Sequence, residues 1–113
     1  NPEVIKYINA NYYAVKLDAE GKKDIKIGNN IYKYDEQYKA NKAAIALLNG
    51  QMSYPSLVYL DEKFNLIQPI AGYQDAKAFH PIITYFGGNY HKKEQFEVYK
   101  SGTYAKAYKD IKL

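Results

Sequence analysis

Apolar and polar positions along the chain change period several times. Asn1-Pro2-Glu3 reads as a helix start: an asparagine to cap, a proline suited to the first helical position and an acid at the positive end of the dipole. Val4, Ile5 and Ile8 then place apolar groups on one face, and the helix is expected to end near Asn9–Asn11. Tyr13 to Asp18 alternates apolar and polar residues, which predicts a strand. Residues 19–24 are charged, contain Gly21 and read as a loop. Ile25–Ile27 and Ile31–Tyr34, separated by Gly28-Asn29-Asn30, predict a β-hairpin, because Gly and Asn tolerate positive φ.

From Gln37 to Leu48 the period turns helical, with Ala40, Ala44, Leu47 and Leu48 on one face and Asn49-Gly50 as the stop. A short loop ends in Tyr54-Pro55, and a β-forming run, Ser56–Leu60, starts at once. Proline has no N–H to give a ladder, so it can open a strand but not sit inside a central one. A polar turn, 61–65, leads to a second strand, Leu66–Ile70, whose Pro69 implies a bulge or an edge. These two strands are expected to be antiparallel neighbours. Asp75 is expected to cap a last core helix with Phe79, Ile82, Ile83 and Phe86 on its buried stripe. Pro81 kinks or delays that helix, and Gly87-Gly88 ends it. Phe96 and Tyr99 are spaced to pack from one face of a tail helix, and Gly102 divides that tail.

Composition narrows the class. With 113 residues, 47% hydrophobic and 25% charged, the chain suits one small globular domain rather than a disordered segment. No apolar run approaches the roughly 20 residues of a membrane span. The opening Asn1-Pro2-Glu3-Val4 is not a basic segment followed by an apolar one, so it does not read as a signal peptide. The missing initiator Met reads as a processed, excised or partial chain. Net charge is +4 with lysines dispersed, so a lysine-rich surface is expected and nucleic acid is not expected as a partner. The 14 tyrosines could stack on sugars or bases, but they are scattered and equally suit strands and cores.

There is no cysteine, hence no disulfide, thiolate nucleophile or zinc–thiolate site within these residues. Asp18, Glu20 and Asp24 lack the spacing of a calcium loop, and no metal or cofactor is expected. His80 and His91 have no evident partner in sequence and read as structural or exposed. Ser53 and Ser56 lack a nucleophile-elbow pattern, so no catalytic residue is assigned.

The ordered set of residues 1–9, Val15–Asp18, Leu47 to Tyr54-Pro55, the hairpin 57–70 and Gly72-Tyr73 resembles the thioredoxin-like family. The likeness is to its bacterial thiol:disulfide interchange type with an insert before the cis-proline loop. It covers residues 1–88 and implies an α/β fold with a β-hairpin insert, followed by a helical tail over 89–113. In that family a Cys-x-x-Cys pair opens the first helix and exchanges disulfides through a mixed disulfide. Here the first strand, the active-site turn and both cysteines are missing from the residues. The missing strand would lie between those matching Val15–Asp18 and Ser56–Leu60, so unpaired edges open to self-association are expected.

What carries over by position is the substrate-binding loop Ser53, Tyr54 and Pro55. The resemblance implies a cis bond before Pro55 and backbone hydrogen bonds from Tyr54 to an extended polypeptide. It also implies a polypeptide substrate or redox partner and a periplasmic or otherwise exported location. A cysteine-free peptide-binding module of the same fold is the alternative. A carbohydrate- or nucleic-acid-binding module that uses tyrosines and lysines is the third reading.

Overall fold

In the computed structural model, which describes every residue except Ser53, the chain is of mixed helix and sheet, and its backbone divides into two compact units. One is formed by Lys16–Tyr73; the other joins Asn1–Val15 to Gln74–Leu113. All sheets among the described residues are two-stranded and antiparallel.

In the unit 16–73, the predicted hairpin is formed tightly by β1 (Ile25–Ile27) and β2 (Asn30–Tyr32), with Ile25 opposite Tyr32 and Ile27 opposite Asn30. Its turn is the two residues Gly28-Asn29, one fewer than expected, with Gly28 at φ 60°. A Cβ on Gly28 would stand 3.6 Å from the Phe64 ring, which identifies the surface this hairpin packs on.

The helix expected over 37–48 is α2, and it covers only Lys42–Leu47. The residues ahead of it fold back instead, as β3 (Tyr34–Asp35) pairs with β4 (Ala40–Asn41). Local side chains outcompete the helix there. The Asp35 Oδ1 accepts from the N–H groups of Gln37 and Tyr38 at 2.9 and 3.0 Å, and Lys39 takes φ 54°. Asn41 then caps α2 by accepting from the Ala43 N–H at 2.8 Å. Ala43, Ala44, Leu48 and Tyr59 are buried in this unit.

β5 (Ser56–Leu60) and β6 (Leu66–Ala71) pair as expected, with Leu57 opposite Ile70 and Val58 opposite Pro69. Pro69 is tolerated because β6 is an edge strand. The register shift lies elsewhere, at Tyr59/Leu60. Asp61 organises the turn by accepting from the N–H groups of Lys63 and Asn65, both at 2.9 Å.

The strand expected over Tyr13–Asp18 does not form. The segment carries no ladder, and Tyr13 and Val15 are 101% and 85% exposed. Alternation specifies a strand only where a neighbour supplies hydrogen bonds and one face is covered. Neither is present for this segment, and among the described residues no parallel crossover is built across α2.

In the other unit, α1 (Pro2–Asn11) starts at Asn1, whose Oδ1 accepts from the N–H groups of Glu3 and Val4. α3 (Ala76–Gly87) starts at Asp75, which accepts from the Ala78 N–H at 2.8 Å. Pro81 lies inside α3; the N–H it lacks would have served the carbonyl of exposed Lys77. Ile83 and Phe86 are buried as expected, whereas His80, Thr84 and Tyr85 are buried in place of a full contribution from Phe79 and Ile82. The left-handed residue after α3 is Asn89 (φ 61°) rather than a glycine. α1 and α3 approach closely: the Tyr12 hydroxyl donates to the Ile83 carbonyl, and a Cβ on Gly87 would lie 2.9 Å from the Tyr7 ring.

A 3₁₀ turn (Tyr90–Lys92) precedes a helical run made of α4 (Phe96–Tyr99), a π-helical turn (Lys100–Tyr104) and α5 (Ala105–Ala107). The expected tail helix is therefore present. Its Tyr99 is 1% exposed and belongs to the same core as α3. Among the described residues no helix is long and apolar enough to cross a membrane.

Candidate functional site

Of the substrate-binding residues read from sequence, Ser53 lies outside the described residues, and Tyr54 and Pro55 stand together at the mouth of the β5–β6 hairpin. The Tyr54–Pro55 peptide bond is cis. The Pro55 carbonyl accepts from the Gly72 N–H at 2.7 Å, one hydrogen bond beyond the Ser56–Ala71 pair. Gly72 has φ 94°, a conformation that favours glycine, so the sequence at the end of β6 suits the clamp that holds the loop.

Tyr54 is 51% exposed. Partial burial, with the Glu20 carboxylate adding to it, raises its phenol above the ordinary tyrosine value. At neutral pH the group is an uncharged hydrogen-bonding phenol. Beside it, β5 pairs with β6, and among the described residues no other strand joins that sheet. Leu57 is exposed on the strand. The arrangement places an exposed apolar side chain and a half-exposed phenol side by side at the mouth of the hairpin. It holds no thiol, and among the described residues no group of three His, Cys, Asp or Glu side chains could hold a metal ion.

A second constellation was not found from sequence. His80 is 1% exposed in the unit that contains α1, α3 and the C-terminal run. Its Nδ1 lies 2.9 Å from the Tyr104 hydroxyl. The Tyr108 ring meets the imidazole edge-on at 4.9 Å between centroids, and Tyr7 stands at 6.1 Å from α1. One helical turn along α3, the Tyr99 hydroxyl donates to Thr84 Oγ1 at 2.7 Å, and that hydroxyl donates on to the His80 and Pro81 carbonyls. His80 and Thr84 are four residues apart, whereas their partners Tyr104 and Tyr99 are five apart. The π turn at Lys100–Tyr104 reconciles the two spacings, since its repeat brings residues five apart onto one side. The only advance signal was the tyrosine excess, which does not say which rings converge.

No family model, no curated protein and no solved structure matches this chain.

Proposed function

We propose that this chain is the C-terminal portion of a thioredoxin-like thiol–disulfide oxidoreductase that keeps the polypeptide-docking loop while its dithiol lies outside these 113 residues. The observation that carries the reading is half-exposed Tyr54 beside exposed Leu57 at the mouth of the β5–β6 hairpin. An extended peptide can add there as a further strand, with main-chain hydrogen bonds for affinity and Leu57 and Tyr54 as side-chain contacts. In the reaction the resemblance implies, a thiolate attacks the docked substrate's disulfide, a mixed disulfide forms and a second thiol resolves it. The residues present would orient the substrate and supply no sulfur nucleophile. An exported location and a redox partner protein belong to the same proposal.

The absence of cysteine favours one second reading, a peptide-binding module of the same fold without redox chemistry. Two measurements separate them. Titrating the chain with an unfolded, extended peptide should shift the amide resonances of Tyr54, Ser56, Leu57 and Val58; unchanged resonances refute docking under both readings. A Cys-x-x-Cys encoded upstream in the parent reading frame supports the oxidoreductase, and a parent without one leaves the binding module alone.

A further inference from the structure

His80 joins the C-terminal helical run to α3 by a contact that is sensitive to protons, next to one that is not. The neutral imidazole has one ring nitrogen that accepts and one that donates, so in the Nε2–H tautomer Nδ1 accepts a hydrogen bond from the Tyr104 hydroxyl. Protonation makes both nitrogens donors and places a cation in a closed pocket. The groups that face it are the phenols of Tyr7 on α1 and of Tyr104 and Tyr108 on the C-terminal run. The single carboxylate with an electrostatic influence on the ring is Glu3, in the first turn of α1. Among the described residues no carboxylate lies within ion-pair distance of it. A buried, unpaired cation is costly, and the inexpensive escape is for the covering segment to open.

The Tyr99–Thr84 contact has no group that titrates in mild acid. The phenol of Tyr99 is pushed up to about 12, chiefly by burial. Tyr99 also stays packed among the Tyr85 and Tyr90 rings. The run therefore has a pH-blind anchor at its start and a pH-sensitive one five residues later.

We propose that His80 is an acid-operated latch: on protonation the segment bearing Tyr104 and Tyr108 releases from α3 while Tyr99 stays docked. Burial lowers the imidazole below its ordinary value, with Glu3 opposing. The closed state thus binds fewer protons than the open one. The latch is fully closed above about pH 6.5 and loosens as pH falls below it.

Hydrogen exchange of the whole chain, corrected for intrinsic rates and followed by NMR at about pH 7.5 and about pH 5, tests this across the ordinary histidine range. The Tyr108 and Ile111 amides, bonded to the Tyr104 and Tyr108 carbonyls, should lose protection by up to about tenfold per pH unit below about 6.5. The Tyr99 amide, bonded to the Gln95 carbonyl, should keep its protection. His80→Gln should abolish the difference between the two pH values, and His91→Gln should leave it in place. Equal loss along the whole run, no loss, or a loss that persists in His80→Gln overturns the proposal. If His80→Gln does not fold, the His80 imidazole resonance of the unaltered chain decides. A titration midpoint that does not coincide with the loss of protection refutes the latch.

Discussion

Replacing Asn41 with alanine should cost far more than an ordinary helix cap. Asn41 is 0% exposed and ties three backbone segments together. Its Oδ1 accepts from the Ala43 N–H at 2.8 Å, and its Nδ2 donates to the Lys23 and Tyr32 carbonyls, both at 3.1 Å. Its own N–H donates to the Ala19 carbonyl at 2.7 Å, a bond that alanine retains. Loss of the cap costs about 1 kcal/mol. Two carbonyls left without their donor cost about 1–2 kcal/mol each. The sum is about 3–5 kcal/mol, a large part of the roughly 5–15 kcal/mol that holds a domain of this size.

Urea unfolding, followed by resonances of the unit 16–73, provides the assay. At a slope of about 1–3 kcal/mol/M, the midpoint should fall by about 2 M with the slope unchanged. Asn41→Asp keeps the cap acceptor but turns a carboxylate toward two carbonyls. It should be at least as damaging at neutral pH and should recover partly in acid, as the carboxyl gains a proton. A loss below about 1 kcal/mol for Asn41→Ala, the worth of a solvated cap, would refute the bridging role.

Two further outcomes follow from the tyrosines and from the close helix approach. Burial holds the phenols of Tyr59 and Tyr99 up at about 12. The unfolded chain ionises near pH 10 and so releases its protons first, and stability should fall as pH rises from about 10 to about 12. Tyr99→Phe should blunt that fall for the unit containing α3 and leave it for the unit 16–73, as read by pH-dependent unfolding. Gly87→Ala puts a methyl 2.9 Å from the Tyr7 ring and 3.0 Å from the Tyr12 ring. It should destabilise by about 1–3 kcal/mol in denaturant titration, and a neutral result would show that the two rings yield freely.

By itself the sequence determined what neighbouring residues decide. Asn1 and Asp75 cap helices because each carries an acceptor two or three residues ahead of orphan N–H groups. Gly28-Asn29 makes a hairpin turn for a similarly local reason, and Asp61 with its neighbours closes β5 onto β6. The position of Tyr54-Pro55 at a strand mouth was readable in the same way.

Tertiary structure decided the rest. Whether Tyr13–Asp18 becomes a strand depends on a partner that its own alternation cannot provide. Where α2 begins depends on more than the local Asp35 turn, because Asn41 at its start reaches the Lys23 and Tyr32 carbonyls, eighteen and nine residues away. The convergence of Tyr7, Tyr104 and Tyr108 on His80 depends on packing across 24 residues or more of chain, and on one π turn that aligns the two hydroxyl contacts. Caps and turns are closed by hydrogen bonds within a few residues and can be read in order along the chain. Ladders and buried polar contacts are closed by distant groups, whose identity only the folded chain reveals.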